Sequence, residues 1–304
     1  ARSRLLFTRK DLVYKISEEE FNVVKCLDCG LVYVNPRPSE SEIHSFYTDD
    51  YYCVDISKEA LLKAKEDTLL AKFDKVKHIP PGRLLDIGCQ KGEFLFFMQQ
   101  KGWEVKGIDF SDAPPNLFGL DIFYGKLEEA DFSPGSFDLI TLWAVLEHVY
   151  YPREMLSEAH RLLKPGGKIV LLVTNINSIP GRFMRHDDIP RHTTMFSKRT
   201  IKKMLKLTGF KVDKYYFGGD IFSGSTRGFF NYLIKLLAGE DINDIVEQNR
   251  RLGWWDFSCC LNGRVSQLMR RIDKIDNAIT PYLDRVMDIL GYGFIMTIEA
   301  TKSN

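Results

Sequence analysis

The stretch that decides the fold is Leu84-Leu85-Asp86-Ile87-Gly88-Cys89-Gln90-Lys91-Gly92-Glu93. An apolar run leads into a turn of small residues, and a helical pattern follows from Glu93. Such a strand–turn–helix unit is typical of doubly wound sheets, in which ligands bind at the carboxyl ends of the strands. Because Gly88 and Gly92 have no Cβ atom, the backbone of the turn can come close to a ligand. The stretch therefore predicts a ligand-binding turn at the edge of an α/β sheet.

Strand and helix patterns continue to alternate on the carboxyl-terminal side of this stretch. The predicted strands are 83–87, 103–108, 121–124, 137–143, 168–174, 210–217 and 292–300, and the predicted helices are 57–78, 93–101, 152–163 and 197–207. This alternation favours an α/β fold with a doubly wound, mostly parallel seven-stranded sheet, whose last strand is the antiparallel one. Residues 1–55 are predicted to form an irregular amino-terminal segment and residues 56–304 the main domain, with a helical insertion at about 220–290.

A second carboxylate supports a nucleoside ligand. Asp109 ends the second predicted strand, 21 residues after Gly88, and an acid at this interval binds ribose hydroxyls in dinucleotide-binding folds. A nicotinamide fingerprint would need glycine at positions 90 and 93, where this chain has Gln90 and Glu93. Asp86, beside the turn, would repel a pyrophosphate and attract a positive group. These residues favour the cationic S-adenosylmethionine over a dinucleotide, and a nicotinamide-dependent reductase is the less favoured alternative.

Four segments of the chain carry a family pattern. They are Asp86-Ile87-Gly88-Cys89-x-x-Gly92, Gly107-Ile108-Asp109, Ser136-Phe137-Asp138-Leu139-Ile140-Thr141-Leu142-Trp143-Ala144-Val145-Leu146-Glu147-His148-Val149 and Leu162-Leu163-Lys164-Pro165-Gly166-Gly167. Together they resemble class I S-adenosylmethionine-dependent methyltransferases, in particular the quinone-biosynthesis and small-molecule branch, over about residues 80–215. The resemblance implies a Rossmann-like methyltransferase fold.

The resemblance also implies which residues bind the cofactor. In the family, the acid and the glycines of the first turn line the methionine part, the acid matching Asp109 holds the ribose, and the segment that begins at Lys126 flanks the adenine. The candidate cofactor-binding residues are Asp86, Gly88, Cys89, Gly92, Asp109, Phe110, Lys126, Leu127 and Trp143. One departure is Gln90, where the family usually has glycine, so we expect its side chain to point outward.

Two histidines are candidate catalytic residues. Methyl transfer to a hydroxyl requires a base that removes its proton, and the unperturbed pKa of histidine is near neutrality. His148 follows the fourth strand and so lies at the sheet edge where ligands bind. His192 lies in a loop before Ser197, and a similar Arg-His pair faces the acceptor pocket in the proteins that the chain resembles. The alternative roles are structural: a hydrogen bond beneath the cofactor for His148 and a loop anchor for His192.

The acceptor is predicted to be a small molecule, and the target atom an oxygen of a sugar, ring or lipid-linked metabolite. Amino-group methyltransferases of DNA bases or glutamine usually carry an Asn/Asp-Pro-Pro-Tyr/Phe motif after the fourth strand, but this chain has Leu142-Trp143-Ala144-Val145 there. Carbon methylation of a sugar or an enolisable ring stays open because it also needs a base. A catalytically inactive binding protein that keeps the fold is a further alternative.

Cys26 and Cys29 form a C-x-x-C-G knuckle between two predicted extended stretches. The knuckle resembles the amino-terminal zinc-ribbon half of some methyltransferases, including sugar C-methyltransferases, whose second cysteine pair would lie upstream. Zinc prefers four ligands, usually from two such pairs. Cys26 and Cys29 are therefore candidate zinc ligands that need partners from elsewhere, and the alternative is a pair of packed apolar thiols.

The composition of the whole chain limits the classes of partner and compartment that we expect for it. Forty-two basic and 41 acidic residues give a net charge of +1, which offers no argument for nucleic acid binding. No apolar run reaches the roughly 20 residues that span a bilayer. Six scattered cysteines do not look like a disulfide framework. We therefore expect a cytoplasmic protein without a transmembrane segment.

Two apolar patterns mark the helical insertion. We expect the first, which alternates by four and three residues, to pack on its own domain, with homodimerisation through this 261–279 helix as the alternative. Its members are Leu261, Val265, Leu268, Ile272, Ile275 and Ile279. The second, residues 229–237, is expected to form a buried lid helix rather than a lipid contact.

Overall fold

The computed structural model describes residues 2–11, 14–47, 57–110, 117–184, 188–222, 229–240 and 264–303. Its strands are β1 (Ser3–Arg9), β2 (Phe21–Cys26), β3 (Val32–Val34), β4 (Arg83–Ile87), β5 (Glu104–Asp109), β6 (Ile122–Tyr124), β7 (Phe137–Trp143), β8 (Leu163–Thr174), β9 (Thr194–Met195), β10 (Phe210–Phe217) and β11 (Ile295–Lys302). Its helices are α1 (Glu40–Ile43), α2 (Lys58–Val76), α3 (Glu93–Gln99), α4 (Pro152–Leu162), α5 (Lys198–Leu207), α6 (Phe229–Leu237) and α7 (Arg264–Leu290).

Seven strands form the main sheet, in the order β10-β11-β8-β7-β4-β5-β6. The pairs from β8 through β6 are parallel, whereas β11 runs antiparallel to both β8 and β10. The strand order reverses between β4 and β7, and this switch point is where doubly wound sheets bind ligands. The predicted fold class and the antiparallel last strand are confirmed.

The main sheet is covered on both faces, as its unbroken apolar runs predict. Successive residues of β8 point to opposite sides: Ile169 and Leu171 join one core cluster, and Val170 and Leu172 join the other. Helices α4 and α5 cover the first face, and α2 and α3 cover the second. The sheet thus holds the carboxyl ends of β4, β5 and β7 in fixed positions along one edge.

The amino-terminal segment forms a second sheet with part of the main domain. Its order is β1-β2-β3-β9, and β9 belongs to the loop that follows β8. Tyr33 of β3 pairs with Thr194 of β9, and an apolar cluster that includes Val23 and Met195 lies beneath the sheet. The sequence indicated β2 and β3 but not β1, so the prediction of an irregular segment was wrong for Ser3–Arg9. The domain boundary near residue 55 stays a prediction.

The described part of the helical insertion is more exposed than predicted. Ile275 and Ile279 are exposed, so the expectation that the seam packs on its own domain was wrong for these two residues, and homodimerisation stays a prediction. Helix α6 buries Tyr232 but leaves Leu237 78% exposed, so the prediction of a buried lid helix holds for only part of it. Residue 261 lies outside the described residues. Within the described ranges, no helix is long and apolar enough to cross a membrane.

Candidate active site

The turn after β4 has the backbone that the sequence predicted. Gly88 has a φ of 74°, and a Cβ atom added there would collide with the side chain of Val145, so glycine is required on two counts. Gln90 has a φ of 51°, which is uncommon for a residue with a side chain. Its side chain is exposed, as expected, and its backbone N–H donates to Oδ2 of Asp109 over 2.7 Å. The turn is therefore tied to the end of the neighbouring strand β5.

Asp86 is buried at the end of β4. Thr141 of β7 donates its hydroxyl hydrogen to Oδ1 of Asp86 over 2.5 Å. Burial raises the pKa of Asp86 to about 7, although the nearby Lys72 ammonium and the Thr141 hydrogen bond act in the opposite direction. Asp86 is therefore about half ionised at neutral pH in the ligand-free chain. A cation bound beside it would favour the ionised form.

A narrow crevice opens beside this turn, and Lys72 of α2 reaches into it. The crevice is lined by Lys65, Thr68, Leu69, Lys72, Asp86, Gly88, Cys89, Gln90, Glu93, Phe94, Trp143 and Phe222. The Nζ atom of Lys72 lies 5.3 Å from the ring centre of Phe94 and 5.4 Å from that of Trp143. Burial lowers the pKa of Lys72, and the charges of Asp86 and Glu93 oppose that effect. The crevice thus contains a lysine side chain close to two acidic groups.

Lys72 was not among the predicted site residues. Its position on α2 could have indicated it. Lys72 lies three residues after the buried Leu69 and four before the buried Val76, so it belongs to the inward-facing side of the helix. A charged residue on the inward-facing stripe of a helix indicates a polar partner inside. Because Lys72 lines this narrow crevice beside Asp86, it would compete with a positively charged ligand for that carboxylate.

The remaining predicted cofactor residues differ in exposure. Cys89 is buried and burial raises the pKa of its thiol, so it stays neutral. Phe110 is 42% exposed just beyond β5. Lys126 is exposed and its Nζ lies 3.3 Å from Oε2 of Glu40, whereas Leu127 points into the core. Leu127 therefore reaches a ligand only through its backbone, and these assignments stay predictions.

The two predicted catalytic histidines lie against each other. The ring centres of His148 and His192 are 4.6 Å apart in an edge-to-face arrangement. Tyr47, from the amino-terminal segment, places its hydroxyl oxygen 3.1 Å from Nδ1 of His148. Nδ1 of His192 is buried and has no hydrogen-bond partner among the described residues. The fold thus joins residues 47, 148 and 192 at one point of the sheet edge.

Hydrogen bonds between their two loops explain why these histidines meet. The backbone N–H of Thr194 and the hydroxyl of Thr193 both donate to the carbonyl oxygen of Glu147, over 3.2 and 3.3 Å. Burial lowers the pKa of His148 to about 3, with the neighbouring His192 as the next cause. Burial, followed by the charge of Arg191, lowers the pKa of His192 to about 3. Both imidazoles are therefore neutral at physiological pH.

A buried ion pair fixes the loop that carries His192. The side chain of Arg191 is fully buried and donates to Asp11 over 2.8 Å and to Asp188 over 2.6 Å. It also donates to the carbonyl oxygen of Phe46 over 3.0 Å. The guanidinium lies 4.4 Å from the ring centre of Tyr14. The amino-terminal segment is therefore part of the support of His192, which no local pattern in the sequence indicated.

The cysteine knuckle does not form a metal site with the described residues. Cys26 is buried and Cys29 is partly exposed, and hydrogen bonds from the backbone N–H groups of Cys29 and Asp28 lower the pKa of Cys26. No group of three or more His, Cys, Asp or Glu side chains suited to a metal occurs within the described ranges. Two thiols do not fit the four-ligand geometry of structural zinc. The zinc ligands stay a prediction.

The family of the chain follows from comparison with known proteins. A family model described as a methyltransferase domain matches residues 55–215, just over half of the chain. The chain belongs to this methyltransferase family. The predicted resemblance to class I S-adenosylmethionine-dependent methyltransferases is thereby confirmed, and S-adenosylmethionine is the cofactor of that class.

Curated relatives share parts of this methyltransferase domain. A ubiquinone biosynthesis O-methyltransferase from Pseudomonas aeruginosa is 36% identical over 105 residues, which are 31% of this chain and 45% of that protein. An uncharacterized protein from Methanocaldococcus jannaschii is 31% identical over 143 residues, which are 44% of this chain and 67% of that protein. The chain spans about half or less of the length of the O-methyltransferases that it matches.

Solved structures share the fold of this methyltransferase domain. The 1,6-didemethyltoxoflavin-N1-methyltransferase of Burkholderia thailandensis has a TM-score of 0.50 and 12% identity, with 92% of this chain and 98% of that chain covered. The [4+2]-cyclase SpnF has a TM-score of 0.51 and 16% identity, with 88% and 97% covered. At these identities the likeness concerns the fold alone.

The crevice of this methyltransferase domain fits the methionine end of the family cofactor. Oε2 of Glu93 and Nε1 of Trp143 are buried without a hydrogen-bond partner among the described residues, and both side chains line the crevice. Buried polar atoms without partners are costly, so they indicate a missing polar ligand. Asp86 and Glu93 suit the positive charges of the sulfonium and amino groups.

Proposed function

We propose that this protein transfers the methyl group of S-adenosylmethionine to an oxygen of a small-molecule acceptor, with His192 as the general base. The observation that carries the proposal is the buried Nδ1 of His192, which has no partner among the described residues and lies beside His148 at the ligand-binding edge of the sheet. The bound cofactor supplies a methyl carbon on a positively charged sulfur, which a nucleophile attacks in line.

Asp86 and Glu93 hold the positive end of the cofactor, and Asp109 holds its ribose. Asp86 becomes fully ionised when that cation is beside it. Lys72 lines the same crevice and would compete with that cation for Asp86. The carboxylates would hold the positive end of the cofactor without taking part in bond changes.

His192 accepts the proton that the acceptor hydroxyl loses as its oxygen bonds to the methyl carbon. S-adenosylmethionine would supply the methyl group and keep the electron pair of the broken methyl–sulfur bond as a neutral sulfide, and the proton would stay on Nδ1 of His192. The ring of His148 positions the imidazole of His192 by direct contact. Tyr47 in turn holds His148 through the hydrogen bond between its hydroxyl and Nδ1 of His148. Both residues act on the orientation of His192 rather than on the acceptor.

The low pKa of His192 favours an acceptor whose hydroxyl group is acidic. A pKa of about 3 guarantees the neutral form but makes the imidazole a weak base. A hydroxyl that is itself acidic, such as a phenol with a pKa of about 10, suits such a base better than an aliphatic sugar hydroxyl. The relatives named as ubiquinone biosynthesis O-methyltransferases support oxygen as the target atom. We therefore favour a phenolic or enolic oxygen.

The test combines an acceptor panel with a matched pair of variants. The protein is incubated with methyl-labelled S-adenosylmethionine and a panel of phenols, hydroxyquinones and sugars, and products are identified by mass spectrometry. We expect methyl ethers of phenols, lowered at least about 100-fold in His192→Ala. Calorimetry with S-adenosylhomocysteine should give unchanged affinity in that variant. His160→Ala, which changes a histidine that packs on Phe210 far from this edge, is the control.

Three results would contradict the proposal. A product methylated on carbon would favour the alternative of a C-methyltransferase acting on a sugar or enolisable ring. Failure of the wild-type protein to bind S-adenosylhomocysteine would favour an inactive binding protein that keeps the fold. Equal turnover in His192→Ala would assign His192 to a structural role.

A further inference from the structure

A second cavity lies on the other side of the loop that carries His192. It is an open cavity of about 620 Å³ between α5, the end of α7 and the residues after β8, and this size is typical of ligand sites. It is lined by Asn175, Asn177, Lys198, Arg199, Lys202, Lys203, Lys206, Leu290, Gly291 and Tyr292. Among the described residues, none that lines it carries a carboxylate. The methyl-transfer chemistry does not use any of these side chains.

The five cations of this cavity come from one face of α5. They lie at positions 198, 199, 202, 203 and 206, whereas Ile201 and Leu205 on the opposite face are buried in the core. Like charges four residues apart destabilise a helix by about 0.2–0.5 kcal/mol per pair. The sequence of α5 contains no acid that could relieve this repulsion. Most solvated helix faces mix charges, so this face indicates a role other than solubility.

Among the described residues, these five cations have no ion-pair partner. Many other lysines and arginines of the described chain form salt bridges, for example Lys75 with Asp220 and Lys164 with Asp138. No described acid lies within salt-bridge distance of the five side chains of α5, and all five residues are exposed. The five side chains place five positive charges around one cavity, whereas the net charge of the whole chain is +1. Such a local field attracts and retains multiply charged anions.

The walls of the cavity are held in place by hydrogen bonds. The side-chain amide of Asn175 donates to the carbonyl oxygen of Gly293 over 3.0 Å, and its backbone N–H donates to that of Phe294 over 2.7 Å. These bonds join the segment after β8 to the segment that follows α7. Nζ of Lys198 lies 4.9 Å from the ring centre of Tyr215, which limits its orientation. The exposed cations therefore line one side of an open, concave surface whose opposite wall is held in place by these bonds.

We propose that this cavity binds a small phosphorylated ligand through its phosphate or diphosphate group. The planar guanidinium of Arg199 suits a bidentate phosphate contact, and the lysines supply point charges for the remaining oxygens. The side-chain amide of Asn177, which has no hydrogen-bond partner among the described residues, offers a neutral donor. The exposed side chains of Leu290 and Tyr292 form an apolar wall for the part of the ligand next to the phosphate. This site is independent of the methyl transfer proposed above.

Calorimetric titration of the whole chain with inorganic diphosphate tests the site directly. We expect binding of one diphosphate per chain in the wild type and binding at least about tenfold weaker in a Lys202→Glu/Lys203→Glu variant. The matched control is Lys63→Glu/Arg153→Glu, which reverses two exposed helix charges outside the cavity. The control should bind diphosphate within about twofold of the wild type, because screening confines the effect of distant surface charges. Unchanged affinity for S-adenosylhomocysteine shows that both variants are folded.

A second arm separates a soluble phosphate ligand from a lipid headgroup. Sedimentation with phosphatidylglycerol vesicles, and with phosphatidylcholine vesicles as the uncharged control, is repeated with diphosphate as competitor. Release of the protein by diphosphate would support the same site with a headgroup as its source. Binding to vesicles without any binding of diphosphate, or equal loss of diphosphate binding in both variants, would overturn the proposal.

Discussion

The backbone N–H of Gln90 donates a 2.7 Å hydrogen bond to Oδ2 of Asp109. This bond joins the turn after β4 to the end of β5, and it exists because Gln90 adopts a left-handed backbone with a φ of 51°. One oxygen of Asp109 is thereby fixed by the chain itself. The orientation of the Asp109 carboxyl group is therefore set before any cofactor binds, which reduces the entropy lost on binding.

Asp109→Ala is expected to weaken S-adenosylhomocysteine binding about tenfold or more, because hydrogen bonds to a charged acceptor are lost and the turn loses its anchor. Isothermal calorimetry measures the change. Asp121→Ala is the matched control, since Asp121 is an exposed acid that pairs with Lys106 at the surface of the same region. Wild-type affinity in Asp109→Ala would show that the ribose lies elsewhere.

Cofactor affinity should depend on pH through Asp86. The pKa of Asp86 is raised to about 7 in the ligand-free chain, and a bound cation favours the ionised carboxylate. Binding of S-adenosylmethionine therefore releases a proton below pH 7, and its affinity falls by up to about tenfold per pH unit below that value. Above pH 8 the affinity should be constant.

The dependence is measured by calorimetry from pH 5.5 to 8.5, with Asp86→Asn and Lys72→Met as comparison variants. Asp86→Asn should bind weakly at every pH. Lys72→Met should move the midpoint above pH 7, because Lys72 lowers the pKa of Asp86. A wild-type affinity that does not vary with pH would contradict the role of Asp86.

The fold itself should be less stable when Asp86 is ionised. A carboxyl group whose folded pKa lies above its unfolded value of 3.8 costs stability progressively as pH rises from about 4 to 7. Asp86→Asn removes that cost, so its thermal midpoint should exceed that of the wild type by a few degrees at pH 8 and by less at pH 5. Calorimetric scans at both pH values provide the comparison. A lower midpoint at pH 8 would show that the carboxylate stabilises the fold.

The histidine pair should remain neutral over the physiological range. Burial holds the pKa of both His148 and His192 at about 3, so their ring protons should show no titration by NMR between pH 8 and 5. The signals are assigned by their loss in His148→Gln and His192→Gln. The lowered pKa values also mean that stability is lost as pH falls from about 6.5 toward 3, because the unfolded histidines bind protons first. A midpoint between pH 5 and 7 for either ring would show that the pair is open to solvent.

Asp11→Ala is expected to destabilise the fold by about 3 kcal/mol or more, because it leaves the buried guanidinium of Arg191 with one carboxylate fewer. Urea unfolding measures the change. Asp28→Ala is the control within the same segment, since Asp28 forms an exposed pair with Arg2 over 3.5 Å and its loss should be close to neutral. Equal effects of the two substitutions would mean that the Arg191 pair does not hold the segment in place.

The sequence predicted those elements whose residues carry a complete local pattern. The bounds of β4, β7 and β10 match the predictions because each strand carries several hydrophobic residues and is bounded by turns. Strand β8 begins at Leu163, earlier than predicted, because its pairing with Phe137 extends through a Pro-Gly-Gly segment that reads locally as a turn. Strand β1 was missed because it is an edge strand of mixed polarity, with Leu5 exposed.

The sequence placed correctly those site residues whose position is set by the end of a strand. Gly88, Asp86 and Asp109 follow from the order of strands alone, and so does the position of His148. Asp11 and Lys72 could not be predicted in the same way, since their partners lie on elements that only the tertiary fold brings close. The contact between Asp11 and Arg191 spans 180 positions of the chain, and no local pattern encodes it.

Strand β9 contains only two residues, yet it joins the first 47 residues of the chain to the loop of His192. The crevice beside Asp86 takes none of its lining from those 47 residues. The support of the His192 loop and the crevice beside Asp86 are therefore built from different parts of the described chain. Substitutions in the amino-terminal sheet are expected to disturb the position of His192 without altering the lining of that crevice.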